Sequence, residues 1–263
     1  MKLVDIGVNL TNKQFAHDQT QVVDDAITAN VRKIIVTGTS EKSSLKAQLL
    51  AQRFPDVVCS TAGIHPHDAK DASINFTTVL ADLYTHQSTV AIGECGLDFN
   101  RDFSPRPVQE RVFEQQIELA AELNAPLFMH QRDAHKRFIE IVRPYANKIN
   151  KAVVHCFTGS DDELEDYLAL GFYIGITGWI CDERRGIDVR ALTEKIPLDR
   201  LMIETDAPFL LPRDLPNKPK VKRNEPKYLP HILRCIANQR EMDETVLADH
   251  IWQNSVDFFD LHI

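Results

Sequence analysis

The stretch TVAIGECGLDF, residues 89–99, decides how the rest of the chain is read. Thr89, Val90, Ala91 and Ile92 make an apolar, β-branched run of the length of a buried strand. The run stops at Glu94-Cys95, flanked by Gly93 and Gly96, and closes on Leu97-Asp98. An apolar strand ending in a carboxylate between glycines is the pattern of a parallel strand whose C-terminal end opens onto a site. Alone, the stretch also fits a strand end with a solvated glutamate, because charged side chains are as a rule exposed. The surrounding segments choose between the two.

Outward from this stretch, strand-like runs recur at residues 3–10, 33–38, 57–64, 126–130, 152–156, 172–177 and 201–205, so that 89–93 is the fourth of eight. The intervals carry helical spacing, as in Ala47, Leu50, Ala51 and Phe54, or Phe113, Ile117, Ala120, Ala121 and Leu123. Asp18, Ser40 and Asp161 are expected N-caps. Eight βα units in 263 residues, without a composition break, predict an α/β fold of the (β/α)8 TIM-barrel class, as a single domain over residues 1–263. No GxGxxG or P-loop follows the first strand, which removes the common nucleotide-binding open sheets. Beyond the eighth strand come a proline-rich loop at 208–226, too long for a plain connector, a helix at 228–238 and a last helical pair.

The formal net charge of -8 excludes generic adhesion to nucleic acid or membrane, so a polyanion would have to meet a local basic patch. Residues 213–227 supply one, with Arg213, Lys218, Lys220, Lys222, Arg223 and Lys227 against Asp214 and Glu225, six minus two giving +4. The five cysteines, Cys59, Cys95, Cys156, Cys181 and Cys235, form no CxxC pair and read as reduced, buried thiols. MKLVDIGVNL has no signal-peptide layout and no run approaches membrane-spanning length, so a soluble, cytoplasmic protein without a membrane partner is expected; a monomer is the expected state.

In a barrel the site lies where the strands end. Those positions hold His65 and His67, Glu94, His130, His155, and Glu204 with Asp206. Each histidine singly fits a hydrogen-bonded core residue. Together, imidazoles and carboxylates converging on a dry barrel mouth would leave unpaired polar groups unless a cation joined them. The donor types suit zinc, manganese or magnesium. Glu94 could bridge two ions about 4 Å apart. His130 and His155 would complete one site, and Asp206 would serve the other or act as a base on water.

The motifs Gly63-Ile64-His65-Pro66-His67, Ile92-Gly93-Glu94-Cys95-Gly96-Leu97-Asp98, Met129-His130-Gln131-Arg132-Asp133-Ala134, His155-Cys156-Phe157-Thr158-Gly159 and Glu204-Thr205-Asp206-Ala207-Pro208 resemble, in order, those of the TatD family of metal-dependent deoxyribonucleases. That family belongs to the wider amidohydrolase-like barrel group. The resemblance implies a barrel, a divalent metal and phosphodiester hydrolysis, in a process such as DNA repair. It implies Glu94, His130 and His155 as ligands of one metal, Asp206 as the carboxylate facing a second, and His65 as a phosphate-facing or supporting histidine. The catalytic set is then Asp206, Glu94 and His65. One departure stands out: most of the family opens with Asp-x-His-x-His, and this chain reads Asp5-Ile6-Gly7-Val8-Asn9. The second metal position therefore loses its imidazoles, which shifts the expected ion to magnesium, with manganese or zinc as alternatives.

Gly-Val-Asn-Leu-Thr at 7–11, Gly175-Ile176-Thr177-Gly178-Trp179 and Cys181-Asp182-Glu183-Arg184-Arg185-Gly186 are similar to the branch of that family that acts as a 3'-5' exonuclease on single-stranded DNA and RNA. Arg213, Lys218, Lys220, Lys222 and Arg223, with Arg184 and Arg185, are then expected to contact phosphates. Phe99, Phe157, Trp179 and Phe209 could stack on bases or simply pack beneath loops. Two other readings of the residues remain: a metal-dependent hydrolase of a small amide, lactone or phosphoester, and a non-catalytic barrel acting as a binding or quality-control partner.

Overall fold

The computed structural model describes residues 1–262. All eight strand candidates are strands: β1 (Leu3–Val8), β2 (Val31–Val36), β3 (Val58–Ala62), β4 (Thr89–Asp98), β5 (Leu127–Arg132), β6 (Ala152–Val154), β7 (Tyr173–Ile176) and β8 (Leu201–Ile203). Helices alternate with them: α1 (Gln19–Thr28), α2 (Glu41–Arg53), α3 (Phe76–Tyr84), α4 (Arg106–Leu123), α5 (His135–Val142), α6 (Asp161–Ala169) and α7 (Ile187–Leu192), then α8 (Leu229–Gln239) and α9 (Glu244–Phe259) after β8. The strands form one eight-stranded sheet in the order β1 to β8, and the fold is a (β/α)8 barrel. Among the described residues no helix is long and apolar enough to cross a membrane.

The chain gathers into two compact units. The first comprises residues 1–36, 156–161 and 174–263. Here β1 pairs in parallel with β2, and β7 with β8. The chain leaving β8 returns to β1: Val8 and Ala207 form a parallel bridge, the Asp206 amide donates to the Gly7 carbonyl at 2.9 Å, and the Asn9 amide donates to the Ala207 carbonyl at 2.7 Å. Asp5, wholly buried on β1, accepts from the Thr205 amide at 2.8 Å and from the Thr205 hydroxyl at 2.6 Å.

The second unit comprises residues 37–155 and 162–173, with β3, β4, β5 and β6 in parallel register. Its core includes Phe113 of α4 stacked on Phe138 of α5 at 5.0 Å. Two buried glutamines of α4 grip the backbones that lead into the strand ends. Gln116 accepts from the Ile64 amide at 2.8 Å and donates to the Ile64 carbonyl at 3.1 Å. Gln109 accepts from the Asp98 amide at 2.9 Å and donates to the Asp98 carbonyl at 3.2 Å.

β4 extends five residues beyond the expected 89–93, to Asp98, and all of it is buried. The glycines explain the difference. Gly93 and Gly96 have φ of +135° and +144°, and a Cβ on either would strike the β5 backbone, at the carbonyl oxygens of Phe128 and His130. Close approach to β5 lets the strand run through the Glu94 segment instead of stopping at it. Of the expected caps, Ser40 caps α2 in a reciprocal capping box with Ser43. Asp18 stands at the N-cap of α1 without bonding its backbone, because Arg223 takes its carboxylate. Asp161 is the first residue of α6 and not its cap, and its carboxylate pairs with Lys195.

Burial raises the pKa of Asp5 well above the usual carboxylate range, against the lowering effect of the Thr205 hydrogen bonds. The folded state thus holds this proton more tightly than the unfolded chain, so the contribution of Asp5 to stability falls as pH rises above about 4. In thermal melts from pH 4 to 7, wild type should lose about 2–4 °C or more relative to Asp5→Asn. A difference independent of pH would contradict this account.

Candidate metal centre

Four side chains of the second unit meet at one carboxylate oxygen. His65 follows β3, Glu94 lies on β4, His130 on β5, and His155 follows β6. Glu94 Oε1 is 2.8 Å from His155 Nε2, 3.2 Å from His65 Nε2 and 3.2 Å from His130 Nδ1. His130 Nδ1 and His155 Nε2 are themselves 3.4 Å apart. These rings and the carboxylate are largely withdrawn from solvent.

Hydrogen bonds alone serve this arrangement poorly. Three ring nitrogens face one oxygen, and two of them are so close that both cannot comfortably carry hydrogen. On the far side of its ring, His130 Nε2 is buried without a hydrogen-bond partner, the Asp98 carboxylate being 3.7 Å away. Ligand atoms of His65, Glu94 and His130 lie within 4.8 Å of one another. Three imidazoles and a carboxylate are the donor set of a divalent-metal site, and the residues fit such an ion.

Asp98, at the end of β4, extends the cluster. Its Oδ1 accepts from the amides of Asn100 at 3.0 Å and Arg101 at 2.8 Å, and its Oδ2 is 2.6 Å from His67 Nε2. The His67 ring packs against Phe103 at 4.7 Å, and Phe103 is 55% exposed.

The protonation states follow from these contacts. Burial opposes charge on Glu94, yet the His155 and His65 rings, with hydrogen bonds from His130 and His155, hold its carboxyl well below the usual range. Asp98 is likewise held low, its burial outweighed by the neighbouring His130 and His67 rings and by the hydrogen bond from the Arg101 amide. Burial pushes His65 down to about 4. Burial also works against charge on His130, but the Asp98 and Glu94 carboxylates prevail and raise its pKa. At neutral pH the cluster therefore presents ionised carboxylates and a neutral His65, with the His130 ring inclined to keep a proton.

Asp206 belongs to the first unit. It follows β8 with φ +53°, and its Oδ1 accepts from the Asn9 side-chain amide at 2.9 Å. Asn9, at the position where the sequence lacks a histidine, thus donates a hydrogen bond to the carboxylate. Glu204 is wholly buried and accepts from the Cys156 amide at 2.5 Å.

A model of the family described as TatD related DNase matches residues 4–260. The chain belongs to the TatD family. It is 53% identical over 253 residues to the 3'-5' ssDNA/RNA exonuclease TatD of Pectobacterium carotovorum subsp. carotovorum strain PC1, covering 96% of this chain and 97% of that one. It is also 53% identical to the protein of that name from Yersinia pseudotuberculosis serotype O:3 strain YPIII, with 96% and 97% covered. Among solved structures, the Escherichia coli K12 TatD homologue YJJV superposes with a TM-score of 0.89 at 25% identity, covering 99% of this chain and 98% of that one. An amidohydrolase from Saccharomyces cerevisiae, at a TM-score of 0.88 and 22% identity with 98% and 100% covered, shares the fold.

In this TatD-family chain the expected phosphate-contacting residues fall into three sets. Arg184, Arg185 and Arg213 surround the Asp182 carboxylate at 3.7, 3.5 and 3.6 Å, and Arg185 also lies over the Trp179 ring. Arg223 is held by Asp18 and Glu225, both at 2.7 Å, and lies over Phe15. Lys218, Lys220 and Lys222 are exposed and have no ion-pair partner among the described residues. Of the candidate stacking rings, Phe157 is buried, Arg106 covers Phe99, and Phe209 is 48% exposed.

Sequence reasoning placed His67 at a strand end without a task of its own and assigned no role to Asp98 or Phe103. Asp98 and His67 did stand in the motifs, but the expected end of β4 at residue 93 left Asp98 outside the strand. Phe103 carried no signal, since only the fold brings its ring to His67.

A divalent ion must displace the proton favoured by His130. Manganese affinity, followed by calorimetry, should rise as pH is raised from neutral and His130 gives up its proton, and should fall on acidification, while His65 and Glu94 remain deprotonated down to about pH 4. Glu94→Gln should weaken binding at least about 100-fold. Unchanged affinity in that variant would exclude Glu94 as a ligand.

Proposed function

We propose that this protein is a divalent-metal 3'-5' exonuclease acting on single-stranded DNA and RNA, a cytoplasmic monomer whose residues 1–263 make one catalytic domain. The observation that carries the reading is the convergence of His65, His130 and His155 on Glu94 Oε1, at 2.8 to 3.2 Å, in a TatD-family chain. Its close relatives bear the name of such an exonuclease.

Glu94, His65, His130 and His155 would hold the ion. Bound there, a divalent cation supplies Lewis acidity to a phosphoryl oxygen and a water of lowered pKa. The chain's own residues do the rest. The ionised Glu94 offsets cationic charge in a buried site. Asp98 fixes the His67 ring through Nε2, and the half-exposed His67 can hold a proton for the departing sugar oxygen. Asp206 enters as the motif carboxylate that orients or deprotonates the attacking water, with its Asn9 hydrogen bond keeping it in one orientation. Phe103 offers a ring face beside His67 to a terminal base. Lys218, Lys220 and Lys222 are the cations we assign to the phosphate backbone, with Arg184, Arg185 and Arg213 sharing that task around Asp182. Arg223 is engaged in ion pairs within its own unit, so its part is to hold the loop.

Magnesium is the ion assigned to turnover. The imidazole-rich donor set should bind manganese, and zinc still more, with higher affinity.

End-labelled single- and double-stranded oligonucleotides, incubated with each ion, test the proposal. Mononucleotides should leave the 3' end of single strands in magnesium, and Glu94→Ala, His155→Ala and Asp206→Ala should each lower kcat about 100-fold or more with circular dichroism unchanged. No cleavage in any ion would sink the proposal, and a fully active Asp206→Ala would remove that residue from it.

Two further measurements separate the binding groups. Phe103→Ala should raise KM roughly 10-fold with little change in kcat, one stacking contact being worth about 1–3 kcal/mol. Replacing Lys218, Lys220 and Lys222 by alanine should reduce the salt slope of single-strand binding by about 2–3. An unchanged slope would place the phosphate contacts elsewhere.

A further inference from the structure

A second cluster of ligating side chains occurs wholly within the first unit and takes no part in the exonuclease reading. Cys181 ends the short 3-10 turn Gly178–Cys181 after β7 and is fully buried. Asp214 lies in the loop between β8 and α8, and His231 and Cys235 lie on α8. Four residues apart on a helix, His231 and Cys235 share one face. The sulfur of Cys181, a carboxylate oxygen of Asp214 and a ring nitrogen of His231 lie within 4.8 Å of one another. His231 Nε2 is 2.6 Å from Asp214 Oδ1. Asp214, His231 and Cys235 line a cavity of about 270 Å³ together with Arg190. The Cys235 thiol donates to the carbonyl of Ile180, the residue before Cys181, at 3.9 Å.

One sulfur, one nitrogen and one oxygen converge here, and Cys235, one helical turn from His231 on the cavity wall, would add the second sulfur that completes a four-coordinate structural site for a borderline-soft divalent ion. The TatD-family centre around Glu94 has only nitrogen and oxygen donors, so the two differ in kind. We propose that Cys181, Asp214, His231 and Cys235 form a second, structural metal site that takes zinc or an ion of similar softness. Binding displaces the two thiol protons to solvent and leaves two thiolates, one carboxylate and a neutral imidazole on the dication, a net charge of -1 that the Arg190 guanidinium offsets. The bound ion ties the turn after β7 and the loop after β8 to α8.

Cobalt titration of the metal-free, phosphine-reduced full-length protein tests this, because thiolate ligation alone gives the intense near-ultraviolet sulfur-to-cobalt band. Wild type should show the band. Cys181→Ser and Cys235→Ser should lose or halve it, and Cys95→Ser, near the Glu94 centre, should leave it intact. His231→Ala, which removes a partly exposed ring, should keep the sulfur band but bind cobalt at least about 100-fold more weakly. That variant decides the matter should the buried Cys181→Ser misfold. Absence of the band in reduced wild type, or its full survival in both cysteine variants, would overturn the proposal. So would a Cys181–Cys235 disulfide in protein that shows no cobalt band after reduction. None of these outcomes depends on nuclease activity, so failure here leaves the exonuclease reading standing.

Discussion

The second unit is built around one expensive act, the burial of an ionised carboxylate. Glu94 lies 5% exposed on a strand whose every residue is buried. An unpaired carboxylate in such a place costs several kcal/mol, and far more without relaxation. Three imidazoles on Oε1 offset that cost only in part, since rings so close together cannot all donate to it. The residual electrostatic demand is what suits the cluster to a cation. Removing either the carboxylate or the rings would leave the remaining polar groups buried with nothing to satisfy them.

The geometry that delivers Glu94 depends on backbone contact between β4 and β5. Side chains at residues 93 and 96 would push the strands apart, and Glu94 would leave the reach of His130. The two α4 glutamines then secure the neighbouring segments through paired backbone bonds, Gln116 at Ile64 just before His65 and Gln109 at Asp98. One helix therefore positions a histidine after β3 and a carboxylate at the end of β4. Amide side chains suit this work, because each offers a donor and an acceptor to a peptide unit that would otherwise be buried unpaired.

Charge counted along the chain and charge available in the fold are different quantities. Residues 213–227 total +4 by sequence, yet Arg223 is paired with Asp18 and Glu225, and Lys227 with Asp25 and Glu225. Asp182 likewise gathers Arg184, Arg185 and Arg213. What remains to meet a polyanion without an ion-pair partner is the short exposed run of Lys218, Lys220 and Lys222. The same loop carries Asp214 to His231, so its proline-rich length accommodates local tethering as well as any contact with substrate.

By itself the sequence determined the eightfold βα alternation, the (β/α)8 class and the identity of the strand-end residues. It could do so because strand and helix periodicities are local, and because a barrel assigns its chemistry to a fixed structural address. The tertiary structure alone decided that His65 shares Glu94 Oε1 with His130 and His155, that β4 carries on to Asp98, and that Arg223 pairs with Asp18 and Glu225. It alone decided, too, that Cys181 meets residues more than thirty positions away. Such pairings depend on distances between segments remote in the chain, and no local pattern of residues encodes a distance.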